Sequence, residues 1–247
     1  MDLASEYKRQ FDWRSWSEVM DRLPPLVGTT VLDLGCGIGD QAAQLAKRGA
    51  RVLGLDTNGE LLAAAQARSI PNAEFRLGDL KAIDDLGVFD GIWSSFAAAY
   101  VPDLAPSLAH WRPHLAPRGW VALTEVDDLF GHAPLLPNTT SLLAAYAQDA
   151  LTTNRYDFHM GRKLSGHLER AGFSVADART LPDGEFSFDG PADANVLAAW
   201  SSRFDRMNRL RTFCGEAFDL VRDDFLAALS RPDHRSSAKV YLSVATR

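Results

Sequence analysis

The chain has 247 residues, a formal net charge of −6 and 46% hydrophobic residues, enough to bury one large core and too ordinary in composition for a fibrous or disordered protein. No run of Lys and Arg breaks the acidic balance, which argues against nucleic acid as a partner, and no apolar stretch approaches the roughly 20 residues of a membrane span. Two distant cysteines, Cys36 and Cys214, make neither a zinc-ligand set nor a disulfide framework, and the start MDLASEYKRQ lacks the apolar core of a secretory leader, so a reducing cytoplasm is expected.

Residues 5–22 read as an amphipathic helical stretch carrying Tyr7, Phe11, Trp13 and Trp16, ended by Pro24 and Pro25. Residues 31–40, VLDLGCGIGD, join a short apolar strand to a turn with glycines at 35, 37 and 39. Glycines here remove side chains where a backbone must approach a ligand. The helix that follows ends at Gly49, a C-cap signal. This is the strand–turn–helix opening of a nucleotide-binding unit. It is not the dinucleotide fingerprint, which needs a glycine where Asp40 stands, and no Gly-Lys-Ser/Thr follows to make a P-loop.

Strands at 30–34, 51–56, 73–77, 89–95 and 119–125 then alternate with helices at 40–48, 59–69 and 103–114. Such alternation gives a parallel sheet with helices on both faces, and ligands bind outside the carboxyl ends of its strands at the switch point in strand order. Asp56 ends the second strand about twenty residues after the glycines, where a carboxylate takes a ribose diol.

The acid-then-GxGxG pattern of Asp33, Gly35, Cys36, Gly37 and Gly39 resembles motif I of the class I S-adenosylmethionine (SAM) methyltransferases. Four further stretches resemble later motifs in the family's order: RVLGLD at 51–56, FRLGDL at 75–80, FDGIWSSF at 89–96 and LAPRGWVALTE at 115–125. The resemblance covers residues 30–125. It implies a doubly wound, Rossmann-like α/β sheet of about seven strands, the last antiparallel, with helical cap insertions. It also implies SAM as cofactor, Asp56 on both ribose hydroxyls with Thr57 beside it, and Asp79 accepting from the adenine amino group next to Leu80. Ser94 would lie beneath the methyl donor. The segment before motif I would act as a lid, with Tyr7 and Phe11 over the methionine part and Arg14 reaching its carboxylate; the alternative is a helix packed on the sheet edge.

Beyond the fifth strand, Glu125, Asp127, Asp128 and His132 should face the mouth of the site. Either one of the acids orients the acceptor, or His132 serves as general base, a task suited to a group titrating near neutrality; alternatively, Asp127 or Asp128 caps a turn. Residues 139–153 look helical, 162–173 form a further helix and 173–180 a sixth strand, with Tyr156, Phe158 and His159 able to line a pocket. Helices at 192–210 and 214–229 precede a final strand at 238–245. One domain spanning 1–247 is expected, with cap elements at 1–22, 134–160 and 190–231; the last is a substrate cap, a dimer surface, or both.

The tetrapeptide after strand four, Ser94-Ser95-Phe96-Ala97, is not the Asp/Asn-Pro-Pro-Tyr of the DNA amine methyltransferases. No cysteine stands there for cytosine C5 chemistry, and no metal-ligand set is found. A SAM-dependent methyltransferase acting on a small molecule through O, N or C is the leading expectation. A SAM-fold protein catalysing a cyclisation, or a non-catalytic SAM-binding subunit, are the alternatives. No nucleic acid and no membrane are expected as partners, and a homodimer is possible.

Overall fold

The computed structural model describes residues 3–247, so the first two residues of the expected 1–22 cap element lie outside it. Two short helices open the chain, α1 (Leu3–Phe11) and α2 (Trp16–Met20). They replace the single stretch expected over 5–22. The break falls where the backbone at Arg14 makes an isolated antiparallel bridge to Asp183, a long-range pairing that no local periodicity signals.

Next come β1 (Thr30–Leu34), α3 (Asp40–Lys47), β2 (Arg51–Asp56), α4 (Gly59–Ala67), β3 (Ala73–Leu77), β4 (Phe89–Ser95), α5 (Leu104–Trp111) and β5 (Leu115–Asp127). A two-residue strand β6 (His132–Ala133), α6 (Pro137–Thr152), α7 (Leu164–Arg170) and β7 (Ser174–Leu181) follow. The insertion is α8 (Ala194–Arg206), α9 (Asn208–Cys214) and α10 (Phe218–Leu229), before β8 (Arg235–Ser236) and β9 (Lys239–Thr246).

Seven strands form one sheet in the order β3-β2-β1-β4-β5-β9-β7. β9 runs antiparallel to both β5 and β7, and the pairs among β1 to β5 are parallel. The strand order reverses between β1 and β4, which puts the ligand crevice at their carboxyl ends. Side chains alternate across the sheet: Val31, Trp93, Trp120 and Ala122 face one core cluster, while Leu32, Leu34, Ile92, Val121 and Leu123 face the other. Gly91 sits at an irregularity in the β4–β5 pairing. A Cβ there would lie 2.2 Å from the Trp120 ring, so the indole occupies the space that any side chain would take.

The first cluster continues past the sheet into the insertion. Trp200, Phe204, Phe218 and Phe225 are fully buried, and α10 packs on both α6 and α8. The aromatic stripe of these helices is thus core, as its helical spacing suggests. The helix expected over 192–210 is divided at Met207, whose ψ of 58° leaves the helical region between α8 and α9. Among the described residues, no helix is long and apolar enough to cross a membrane.

Candidate functional site

The glycine turn is tied to the end of β2. The N–H groups of Gly35 and Cys36 donate to the Leu55 carbonyl at 2.8 and 3.0 Å, and Gly37 N–H donates to Asp56 Oδ2 at 2.8 Å. Asp56 Oδ1 accepts from Asn58 N–H at 2.8 Å, and the Asn58 side chain caps α4 by accepting from Glu60 and Leu61. An ionised carboxylate has about four lone-pair sites, so two remain at Asp56 for a ligand. Gly37 has φ +54°, and a Cβ on it would touch the Tyr7 ring at 3.4 Å. The ring therefore lies over the turn. A Cβ on Gly39 would instead strike Phe75 at 2.6 Å, so this glycine serves packing.

Asp33 and Ser94 lie behind the turn. Ser94 Oγ donates to the Leu34 carbonyl at 2.8 Å. Asp33 is 1% exposed, and its Oδ2 has no hydrogen-bond partner among the described residues. Burial first, and then the nearby Asp56 charge, push its carboxyl up to about 8. Burial likewise raises the Cys36 thiol, which leaves Cys36 an inert packing residue. Asp79 Oδ1 accepts from Lys81 N–H at 2.9 Å, and the Leu80 carbonyl accepts from the Trp111 indole at 2.7 Å.

A cavity of about 680 Å³ starts at this turn. One end is lined by Gly35, Cys36, Gly37, Asp56, Thr57, Asp79 and Leu80; the other by Phe96, Tyr100, Val126, Leu129, Tyr156 and Phe186. Tyr7, Phe11, Arg14 and Trp16 cover it from the N-terminal segment, and Arg203, Arg206 and Met207 close it from the insertion. The phenols of Tyr7, Tyr100 and Tyr156 are all raised by lost hydration at the cavity, Tyr156 furthest, while Tyr7 and Tyr100 keep 42% and 62% of their surface exposed. They are neutral donors at physiological pH.

An ion network holds the wall at the Phe96 and Phe186 end. Arg14 donates from Nη1 to the Gln10 carbonyl at 2.7 Å and from Nη2 to Glu185 Oε2 at 2.7 Å, while its Nε stands 3.0 Å from Asp183 Oδ2. Arg203 donates to the other oxygen of Glu185. Arg206 pairs with Glu6 at 2.5 Å. The Arg14 guanidinium lies 4.6 Å from the centre of the Phe96 ring, and that of Arg203 lies 5.1 Å from both Phe186 and Trp200.

Of the residues expected at the cofactor, Gly35, Cys36, Gly37, Asp56, Thr57, Asp79, Leu80, Tyr7 and Arg14 line this one cavity. Arg14 does so with its donors directed at Gln10, Asp183 and Glu185 rather than left free for a ligand carboxylate. Asp33, Gly39 and Ser94 support from behind, and Ser95, one residue on, takes the lining position.

His132 is not brought to the cavity. Its ring is 3% exposed, stacks on His234 and packs edge-on against Trp200 and Phe225. Its Nδ1 lies 3.0 Å from His234 Nε2, and burial, then His234, push it down to about 3. A ring so placed cannot collect a proton from an acceptor in the cavity. The acids after β5 turn to structural partners as well. Glu125 is fully buried, accepts from Ala99 and Val126 N–H at 3.0 and 2.9 Å, and is raised to about 7, mainly by burial. Asp127 accepts from Arg162 Nε at 2.7 Å, and Asp128 from Ser237 Oγ at 2.6 Å. Sequence reasoning missed Phe96, Phe186, Arg203 and Arg206, whose roles come from tertiary juxtaposition; the one local signal was the pair of arginines three apart on α8.

Residues 31–119 match a family described as a methyltransferase domain. Over 95 residues the chain is 44% identical to trans-aconitate 2-methyltransferase of Deinococcus radiodurans, covering 38% of this chain and 36% of that protein. The chain spans less than half the length of the curated relatives it matches. Among solved structures, a SAM-dependent methyltransferase from Mesorhizobium loti aligns over 94% of this chain and 97% of its own, with TM-score 0.55 and 22% identity. The cyclase SpnF aligns over 94% and 80%, with TM-score 0.60 and 16% identity. At these identities the two structures establish the shared fold.

Proposed function

We propose that the chain is a class I SAM-dependent methyltransferase, a reading supported by the match of residues 31–119 to a methyltransferase domain, and that it transfers the methyl group of SAM to a small-molecule acceptor held in the aromatic end of its cavity. The observation that carries this reading is continuity: one cavity joins the carboxylates ending β2 and following β3 to a chamber walled by Phe96, Tyr100, Tyr156 and Phe186. The residues fit the cofactor. Asp56 keeps two lone-pair sites after satisfying Gly37 and Asn58, which suits a ribose diol. Asp79 stands beside it for the adenine amino group, and Gly37 leaves its surface bare beneath Tyr7.

When bound, SAM supplies an electrophilic methyl group on a sulfonium. The protein's part is orientation and exclusion of water, which the helices before β1 and after β7 provide by closing over the crevice. The cap elements at 1–22, 134–160 and 190–231 contribute Tyr7, Tyr156 and Arg203 respectively to this enclosure. Among the described residues no histidine lines the cavity, its tyrosines are neutral donors, and Glu125 has both oxygens engaged with backbone N–H groups. The site thus favours an acceptor that is already nucleophilic, such as a pre-ionised oxygen or a neutral amine. The curated relatives named for trans-aconitate support a small acceptor, but the Deinococcus radiodurans match leaves most of this chain unaligned.

The test is incubation with SAM and a panel of small acids, phenols and amines, with S-adenosylhomocysteine measured by mass spectrometry. Release that depends on an added acceptor is expected. Tight SAM binding without turnover on any acceptor would favour a SAM-retaining cyclase or a non-catalytic subunit, and no SAM binding would remove the reading.

A further inference from the structure

We propose that the Arg203 guanidinium, together with the hydroxyls of Tyr7, Tyr100 and Tyr156, forms an anion receptor in the chamber, and that the acceptor is a small carboxylic acid bound as its carboxylate. This rests on the cavity being the methyl-transfer site.

Arg203 has five N–H donors, yet among the described residues its only acceptor is Glu185. Its neighbour in the network, Arg14, is engaged on three sides. The two aromatic rings against Arg203, each 5.1 Å from its guanidinium carbon, fix where the planar group lies. Such a guanidinium presents a fork that matches a carboxylate in two parallel hydrogen bonds.

The three phenols line the same cavity, and none has a hydrogen-bond partner in the protein among the described residues. Neutral phenols can only strengthen an anion site, because they donate without competing for its charge. The charge arrangement agrees. Among the described residues, the acids lining the cavity, Asp40, Asp56 and Asp79, all stand at the cofactor end. Behind the chamber, Asp183 and Glu185 offset Arg14 and Arg203, and burial raises Asp183 toward its neutral form. A neutral ligand of the same shape would offer no charge to the Arg203 guanidinium, whose Nε is buried without a hydrogen-bond partner among the described residues, and the hydrogen bonds left unmade would disfavour its binding.

The test is calorimetric titration of the full chain, loaded with S-adenosylhomocysteine, with benzoate, cinnamate and unbranched four- to six-carbon dicarboxylates, each beside its amide. Wild type should bind at least one carboxylate tenfold or more tighter than the matching amide. Arg203→Lys, which keeps a cation beside Glu185 but loses the fork, should reduce that preference about tenfold, and Tyr156→Phe a few-fold. S-adenosylhomocysteine affinity should change less than twofold in both. The proposal is overturned if no carboxylate is preferred, if the preference survives Arg203→Lys, or if S-adenosylhomocysteine affinity falls in parallel, since Arg203 would then hold the cofactor's own carboxylate. Wild type that binds no S-adenosylhomocysteine would remove the methyl-transfer reading, and the proposal with it.

Discussion

Replacing Asp56 with alanine tests the cofactor end most directly. The carboxylate accepts from Gly37 and Asn58 N–H at 2.8 Å each, and in the proposed function it also offers its remaining lone pairs to a diol. Hydrogen bonds to charged groups contribute about 1.5–3 kcal/mol each. Losing one outright, with the second partly replaced by water, weakens SAM binding by about 10- to 100-fold at roughly 1.4 kcal/mol per decade. The tethers complicate the outcome, because a freed Gly37 loosens the turn itself. Asp56→Asn separates the two effects: its amide oxygen can still accept from Gly37, but it brings no charge and one acceptor atom instead of two. Calorimetry with S-adenosylhomocysteine, beside thermal unfolding of the unliganded variants, reads both. Asp56→Asn should keep most of the melting temperature and lose most of the affinity. Equal affinity in wild type and in a folded Asp56→Ala would refute the assignment.

Four further outcomes are expected. Gly37→Val puts a β-branched side chain at φ +54° and against Tyr7; it should keep the far-ultraviolet circular dichroism of wild type and lose SAM binding, and normal binding would mean the turn is no cradle. His132→Ala empties a ring site among Trp200, Phe225 and His234 and should destabilise by about 2–4 kcal/mol in urea unfolding, while turnover per folded molecule stays within a few-fold; a hundredfold loss of turnover would return His132 to the mechanism. Arg14→Leu strands the buried Asp183 and leaves Glu185 to Arg203 alone, and should cost about 3–5 kcal/mol in urea unfolding. Asp33, whose carboxyl is pushed up to about 8 in the fold, holds a proton that the unfolded chain releases near pH 4; its contribution to stability therefore falls as pH rises from about 4 to about 8. Asp33→Asn should flatten the melting-temperature profile over that window, and an unchanged slope would place the proton elsewhere.

The cofactor end was legible because it is built from local rules. A strand end, a glycine turn and a carboxylate about twenty residues on are sequence-adjacent features, and the sheet order then places their carboxyl ends together. Where the reading slipped, it slipped by geometry that local pattern does not hold. Ser94 and Ser95 differ by one position, and because adjacent strand residues face opposite ways, only Ser95 reaches the cavity while Ser94 bonds back to Leu34. His132 does follow β5, but pairing of β6 with β8 sets it beside His234, the residue just before β8 and 102 positions later.

The acceptor end was illegible for a different reason: its polar groups acquire meaning only through partners far away in sequence. Arg14 meets Glu185 across 171 positions, and Arg206 meets Glu6 across 200. Read singly, each is a charge on an amphipathic helix, and the ordinary expectation for such a charge is solvent. Folded, they tie the N-terminal segment to the insertion across the mouth of the crevice. The same tether governs both ends of the cavity. Tyr7, which lies over Gly37, sits on α1 between Glu6 and Arg14 in sequence, and both of these flanking residues are anchored to groups beyond β7. Freeing Arg14 would leave that ring anchored through Glu6 and Arg206 alone, so the two ends of the cavity share their supports. A cap assembled in this way explains why its two halves, which show no relation in sequence, enclose one space.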